Sequence, residues 1–283
     1  FEAFKTIAHV NLFVGLLSFP ILIAGAWFGG LTGAVWALAI NLGFNWLFNN
    51  IAIRREARRY GVRFAFRHCR QELPVLWKFS LPLFFAGVIV APAYWLANAL
   101  LVNQPGGYGE MGVLSVTNQW YAMLIFLPNL CGNAVLPIMS EEVVQKDPMQ
   151  SRETMVLAIK INACLILPVL LLGSIASPYI MNLYGPGFAS SWPTLVVTLL
   201  AAATFAIETP VGHIICASGR MWTGLAMNVG WVIAFVVGTF VLLDFGALGV
   251  ACARLISYFI HGIWVFAFAI WIIRPIKHEE TPL

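Results

Sequence analysis

The sequence predicts an all-α membrane protein with eight transmembrane helices, and three observations carry that prediction. Of its 283 residues, 60% are hydrophobic and only 10% charged, with a mean hydropathy of +0.85, whereas soluble domains carry about a quarter charged residues. Eight stretches reach the roughly 20 apolar residues that a bilayer crossing needs. Fifteen of the sixteen Lys and Arg residues fall on one side of the resulting path, as the positive-inside rule requires. Alternating strands of about ten residues, the mark of an outer-membrane barrel, are absent.

In chain order the spans cover about residues 5–28, 31–52, 77–102, 112–138, 155–176, 192–216, 221–243 and 247–273. With a cytoplasmic start, the inner side receives Lys5, then Arg54, Arg55, Arg58, Arg59, Arg63, Arg67, Arg70 and Lys78. Further along it receives Lys146, Arg152, Lys160, Arg220, Arg274 and Lys277. The loops of the opposite side hold none, and Arg254, inside the eighth span, is the exception. Both ends of the chain are therefore expected in the cytoplasm.

The long polar stretch, IRREARRYGVRFAFRHCRQELPV at 53–75, carries seven arginines among aromatics. It reads as a basic cytoplasmic linker lying on an anionic membrane surface, or, on the plainer reading that is favoured, as positive-inside charge with no further role. The net charge of +4 is accounted for by this asymmetry, so a nucleic-acid partner is not expected. Cys69, Cys131, Cys164, Cys216 and Cys252 are odd in number and scattered without a CxxC pair, which indicates neither a disulfide framework nor a zinc site. They read as small apolar packing residues. No metal or other cofactor is implied.

Internal similarity organises the chain further. Residues 30–55, GLTGAVWALAINLGFNWLFNNIAIRR, resemble 246–271, GALGVACARLISYFIHGIWVFAFAIW, with Gly33 opposite Gly249, Asn41 opposite Ser257 and Asn45 opposite His261. With one residue gapped, Asn11 falls opposite Asn228. The first pair of spans thus repeats the last pair in the same direction. Residues 76–283 then read as a complete six-helix C-terminal lobe, and 1–52 as the last two helices of an N-terminal lobe. The expectation is that four helices precede Phe1, which is not an initiator Met.

Two six-helix lobes joined by a basic cytoplasmic linker resemble the multidrug/oligosaccharidyl-lipid/polysaccharide exporter superfamily with its MATE-like fold. Within it the sequence is most similar to the bacterial O-antigen and polysaccharide-repeat-unit flippases. The residues that carry the resemblance are LWKFSLPLFFAGVIVAP at 76–92, NAVLPIMSEE at 133–142, LYGPGFASSW at 183–192, ASGRMWTGLAMN at 217–228 and FGALGVACARLI at 245–256. It implies a flippase in the bacterial inner membrane that moves an undecaprenyl-diphosphate-linked oligosaccharide through a cavity between the lobes. It also implies membrane lipids, a polysaccharide polymerase and chain-length machinery as partners. A MATE-type cation-coupled exporter and a lipid II flippase share the fold and remain alternatives.

Helical positions advance by about 100° per residue, which shows which polar groups share a face. On the fourth span, Ser115, Asn118, Gln119, Asn129 and Asn133 lie within about 60° either side of one line. Such a stripe can be amides bonding across a bundle or a hydrated wall that binds sugar hydroxyls; five groups in five turns favour the wall. On the eighth span Arg254, Ser257, Tyr258 and His261 share a face, and the repeat pairs two of them with Asn41 and Asn45. Arg254 is the candidate ligand for a diphosphate or sugar acid.

Glu208 interrupts the apolar sixth span in FAIETPVGH at 205–213. An acidic group at the centre of a span costs about 2.5–3.5 kcal/mol on insertion scales, so it must face protein or water. His213 points roughly 140° away by the helical count and makes a poor partner. Counting from the outer ends, Glu208 is sixteen positions in and His261 fifteen, which puts them at similar depth. Arg254, eight positions in, lies about 12 Å higher. Glu208 is therefore expected either to couple transport to a proton or cation, or to fix the sixth span to the eighth. Pro210 reads equally as a hinge or as a tolerated proline. Pro82, Pro92, Pro128 and Pro168 are expected to interrupt the third, fourth and fifth spans.

An enzyme is not expected. The longest outer loop, SPYIMNLYGPGFASS at 177–191, has no acidic residue and no His, and Glu110 and Asp244 stand isolated at the outer boundary. A membrane glycosyltransferase or ligase would need acid, base or metal-binding groups gathered near the surface.

Overall fold

The computed structural model describes residues 4–61, 73–145 and 148–273. Residues 62–72 of the basic linker, with Arg63, Arg67 and Arg70, lie outside the described residues, as do Lys146, Arg274 and Lys277. No strand occurs among the described residues, and seven helices are long and apolar enough to cross a membrane. The chain divides into two compact units, residues 1–71 and 72–283.

The first unit is built on α1, Phe4–Arg59, whose 56 residues are interrupted at Gly30 (φ 53°, ψ −137°). An L-residue pays heavily for that conformation, so the break falls on glycine. The chain folds back there: Thr6 donates to Glu56 Oε1 at 2.9 Å across fifty positions, and the rings of Phe13 and Phe48 meet at 5.1 Å. Gly25 and Gly33 let the limbs touch, since a Cβ on Gly25 would come within 2.6 Å of the Gly33 carbonyl oxygen. α1 is a hairpin of two apolar limbs.

The second unit begins with α2 (Leu73–Val75), a π-turn at Leu76–Ser80, α3 (Leu81–Val88) and α4 (Val90–Val102). The break at Ile89 between α3 and α4 precedes Pro92, whose ring would clash with the carbonyl four residues earlier, that of Val88. The long helices α5 (Gly107–Val144) and α6 (Pro148–Leu183) run on through Pro128, Pro137, Pro168 and Pro178. The proline interruption expected of the third span is therefore present, while the fourth and fifth tolerate theirs, as packed membrane helices can. α7 (Trp192–Ala217), α8 (Met221–Val241) and α9 (Gly246–Ile273) complete the unit.

α7 is the centre of this unit and packs against α5, α6 and α9. Its buried Ala201, Ala202, Ala203 and Ala206 allow the close backbone approach that holds helices together in lipid. Two apolar clusters result, one including Leu101, Leu195, Leu199 and Phe235, the other Met139, Val211, Ile214 and Val265. Along α7 the change from one cluster to the other falls between Ala206 and Val211, and along α9 between Tyr258 and Val265. Glu208 and His261 occupy that seam.

The internal repeat has a backbone counterpart. Gly246 has φ 60° and ψ −137°, nearly the values of Gly30, its partner in the sequence alignment. A Cβ on Gly33 would collide with the Gly25 carbonyl, and one on Gly249 with the Leu242 carbonyl. In the second unit the turn is also capped: Glu110 Oε2, reaching from α5, accepts the Ala247 N–H at 2.7 Å. A carboxylate at the first turn satisfies an orphan donor and meets the positive end of the helix dipole. Gly30→Ala and Gly246→Ala should each lower stability by about 1–3 kcal/mol through backbone strain. Gly246→Ala should cost more, because its Cβ would also come within 2.5 Å of Glu110 Oε2. Thermal unfolding midpoints of the detergent-solubilised variants check this; midpoints equal to that of the parent contradict it.

Candidate functional site

Glu208 on α7 is buried, with 5% of its surface exposed, and lipid exposure is thereby excluded. Its Oε2 lies 3.0 Å from Nδ1 of His261 on α9, in line with the depths counted along the two spans. The close approach depends on Gly262, because a Cβ there would stand 2.6 Å from Glu208 Oε1. Oε1 itself is buried without a hydrogen-bond partner.

Pro210 shapes the helix beside this carboxylate. A proline has no N–H to give to the carbonyl four residues back, which here is that of Ala206. Asn162, fully buried on α6, donates its Nδ2 to the Ala206 carbonyl at 2.8 Å, so the vacated acceptor is satisfied from a neighbouring helix. Thr209 turns back to the Phe205 carbonyl at 2.9 Å. Fixed in this way, Pro210 acts here as an anchored irregularity.

Arg254 lies about two turns nearer the Gly246 end of α9 than His261 and is 3% exposed. Its Nη1 donates to Asn118 Oδ1 on α5 at 2.7 Å. Its guanidinium sits over the rings of Tyr94, 4.9 Å from the centroid, and Tyr121, at 5.2 Å. No carboxylate pairs with it among the described residues, and its Nε is unpartnered. Aromatic faces and an amide dipole therefore hold a buried cation. Ser257 closes locally on the Arg254 carbonyl at 2.8 Å. Between the cation and the Glu208–His261 pair stands Tyr258, whose hydroxyl meets those of Tyr121 at 2.9 Å and Tyr94 at 3.2 Å.

Of the α5 stripe, Asn118 alone joins this cluster among the described contacts. Ser115, Gln119, Asn129 and Asn133 are exposed on α5, while Asn118 is half-buried against Arg254. In the first unit Asn45 is exposed and accepts Asn49 Nδ2 at 2.8 Å, and Asn41 has a buried, unpartnered Oδ1.

Two cavities adjoin the Glu208–His261 contact. One of about 260 Å³ is lined by Glu208, His213, Asn228, Trp231, Tyr258 and His261. The other, of about 320 Å³, shares His213, Asn228 and His261 and continues to Cys216, Met221 and Gly224. The indole N–H of Trp231 and Nδ1 of His213 are buried without partners. Sequence reasoning missed Tyr94, Tyr121, Trp231 and Asn162, and it set His213 aside. Only the proline rule carried a signal for Asn162, since it says that one carbonyl near Pro210 must find another donor. Asn162→Leu should cost about 1–3 kcal/mol by leaving that carbonyl unpaired. Gly262→Ala should force Glu208 from His261. Thermal unfolding reads the first, and a crystal or electron-microscopy structure of the variant reads the second; an unmoved carboxylate in Gly262→Ala contradicts the packing argument.

A family model described as polysaccharide biosynthesis protein matches residues 2–196. The EPS I polysaccharide export inner membrane protein EpsE of Ralstonia nicotianae is 25% identical over 192 residues, covering 67% of this chain and 44% of the relative. The chain thus spans less than half the length of that relative. A MOP superfamily transporter from Pyrococcus furiosus superposes with a TM-score of 0.75 at 15% identity, over 92% of this chain and 60% of its own. The lipid II flippase MurJ, in an inward closed conformation, gives a TM-score of 0.63 at 15% identity, over 89% and 54%. These likenesses show a MATE-like fold. With the family match extending over more than half of its length, this multi-pass membrane chain belongs to the polysaccharide biosynthesis protein family.

Proposed function

We propose that the protein of which this chain forms part is a flippase. It translocates an undecaprenyl-diphosphate-linked oligosaccharide, an O-antigen or exopolysaccharide repeat unit, across the bacterial inner membrane by alternating access. Its role is transport and not catalysis. In this reading the hairpin of α1 contributes two of eight crossings and belongs to an N-terminal lobe, residues 53–75 are the cytoplasmic linker, and residues 76–283 are the C-terminal lobe with its end in the cytoplasm. Family membership, a relative named for polysaccharide export and the fold shared with a lipid II flippase support the reading.

The observation that carries it is Arg254. A buried guanidinium with an amide and two tyrosine rings around it, and no carboxylate on it among the described residues, suits an anionic, sugar-rich substrate. A small amphipathic cation would be repelled by it. Tyr94 and Tyr121 cover Arg254 in the present conformation, so contact with a diphosphate belongs to another state of the cycle, in which those rings move aside. Tyr258 and His261 line the same interior. Ser115, Asn118, Gln119, Asn129 and Asn133 offer donors and acceptors for sugar hydroxyls, with Asn41 and Asn45 doing so from the first lobe. Glu208, one oxygen on His261 and the other unpartnered, takes up and releases the coupling proton.

Cells lacking the protein should accumulate lipid-linked repeat units and keep normal dye efflux; the opposite pattern favours the exporter reading. Arg254→Gln should weaken transport of the diphosphate-linked substrate about 10–100-fold, the loss of one charge-assisted interaction of about 1.5–3 kcal/mol. In a reconstituted assay Glu208→Gln should abolish the pH dependence of transport. Unchanged rate and pH profile in that variant would remove the coupling role.

A further inference from the structure

His213 belongs to no pair, yet its position is unusual. By the helical count it points away from Glu208, but both side chains line the 260 Å³ cavity beside Trp231 and Asn228. His213 also lines the 320 Å³ cavity, which reaches Cys216, Met221 and Gly224 at the turn between α7 and α8. It therefore stands where the two spaces adjoin. His261 lines both as well, but its Nδ1 is engaged by Glu208.

We propose that His213 relays protons between Glu208 and the α7–α8 end of the six-helix unit. The inference rests on Glu208 being the coupling group and adds its route of access. Glu208 Oε1 and His213 Nδ1 are both buried and unpartnered, so each keeps hydrogen-bonding capacity for a water that enters when the side chains bordering the cavity shift. About 260 Å³ admits several waters at roughly 30 Å³ each, and a water needs two to four polar partners. Asn228 borders that space, and Oε1, the Trp231 N–H and Nδ1, sealed off in this conformation, become further partners once their side chains turn towards it.

The transfer balances without any further reactant. Protonated Glu208 gives its proton through cavity water to one nitrogen of neutral His213, leaving a carboxylate and an imidazolium. The imidazolium then releases a proton from its other nitrogen to water of the second cavity and is neutral again. Imidazole suits this step because one nitrogen accepts while the other donates. The return stroke runs in reverse.

The surroundings leave the ring available. Gly132 on α5 faces it, and Thr209 on α7 borders the same spot; neither is charged. α3 contributes Leu83 and Ala86, and α8 contributes Asn228, Met221 and Gly224. The other titratable groups of the two cavities are Glu208, Cys216, Tyr258 and His261. Gly132 also fixes the ring, since a Cβ there would stand 2.7 Å from the His213 Cε1.

The test uses the full-length protein in lipid nanodiscs. The probe is a rapid pH jump, with the carboxyl infrared band of Glu208, identified by its loss in Glu208→Gln, as the readout. His213→Leu should slow the response of that band at least tenfold with its final amplitude unchanged. His213→Gln, which can hydrogen-bond but carries no proton, should slow it as much, and Gly132→Ala should slow it by displacing the ring. Added imidazole should restore the rate in His213→Ala. A full rate in His213→Leu or His213→Gln overturns the relay and leaves the coupling role of Glu208 standing. A Glu208 band that ignores pH in the parent protein rejects the coupling role, and the relay with it.

Discussion

In a medium that offers no hydrogen bonds, every buried donor and acceptor must find its partner within the protein or in trapped water. That constraint explains the arrangement of the six-helix unit better than any single contact. Proline 210 vacates a carbonyl, and Asn162 crosses from α6 to bond it. The start of α9 exposes an N–H, and Glu110 crosses from α5 to accept it. Arg254 has no counter-ion in reach among the described residues, and Asn118 with two tyrosine faces surrounds it. Each solution ties two or more helices together, so polar residues lock the bundle while alanines set its spacing.

Some buried groups of the unit still lack partners, and three of them gather near one carboxylate. Around Glu208 one carboxylate oxygen, an indole N–H and an imidazole nitrogen lack partners, and an open cavity of about 260 Å³ lies beside them. That space lies in the seam between two well-packed apolar clusters.

Much of this was legible in the sequence, because hydropathy and residue counting are one-dimensional. The spans follow from apolar run length, and the two hairpin turns follow from the alignment of Gly30 with Gly246, whose backbones agree to within a few degrees. Depth counted from the outer ends brought Glu208 level with His261. What escaped depends on register between helices. The polar stripe on α5 was visible as a stripe, but no count along α5 says that Asn118 meets Arg254 while Gln119 is exposed. Nothing along the chain marks Tyr94 and Tyr121, whose hydroxyls both meet that of Tyr258. His213 was set aside on a helix-wheel angle, yet a cavity that wraps around α7 touches residues well apart on its circumference. Prolines misled for a related reason: whether one breaks a helix depends on what its neighbours can donate, which α5 and α6 show by running through theirs.

The three tyrosine hydroxyls carry a consequence of their own. A phenol has one hydrogen to give, and Tyr258 lies between two others. If it donates towards Tyr121, then Tyr94 must donate to it; if it donates towards Tyr94, the sense runs the opposite way. As long as Tyr258 keeps its hydrogen within the trio, reversing one bond turns the other as well. The trio is thus a small dipole with two opposed orientations, set between a fixed positive charge above and an ionisable carboxyl below. A change of charge at one end would tilt the preference of the whole chain of hydroxyls, and the other end would feel it with no helix having moved.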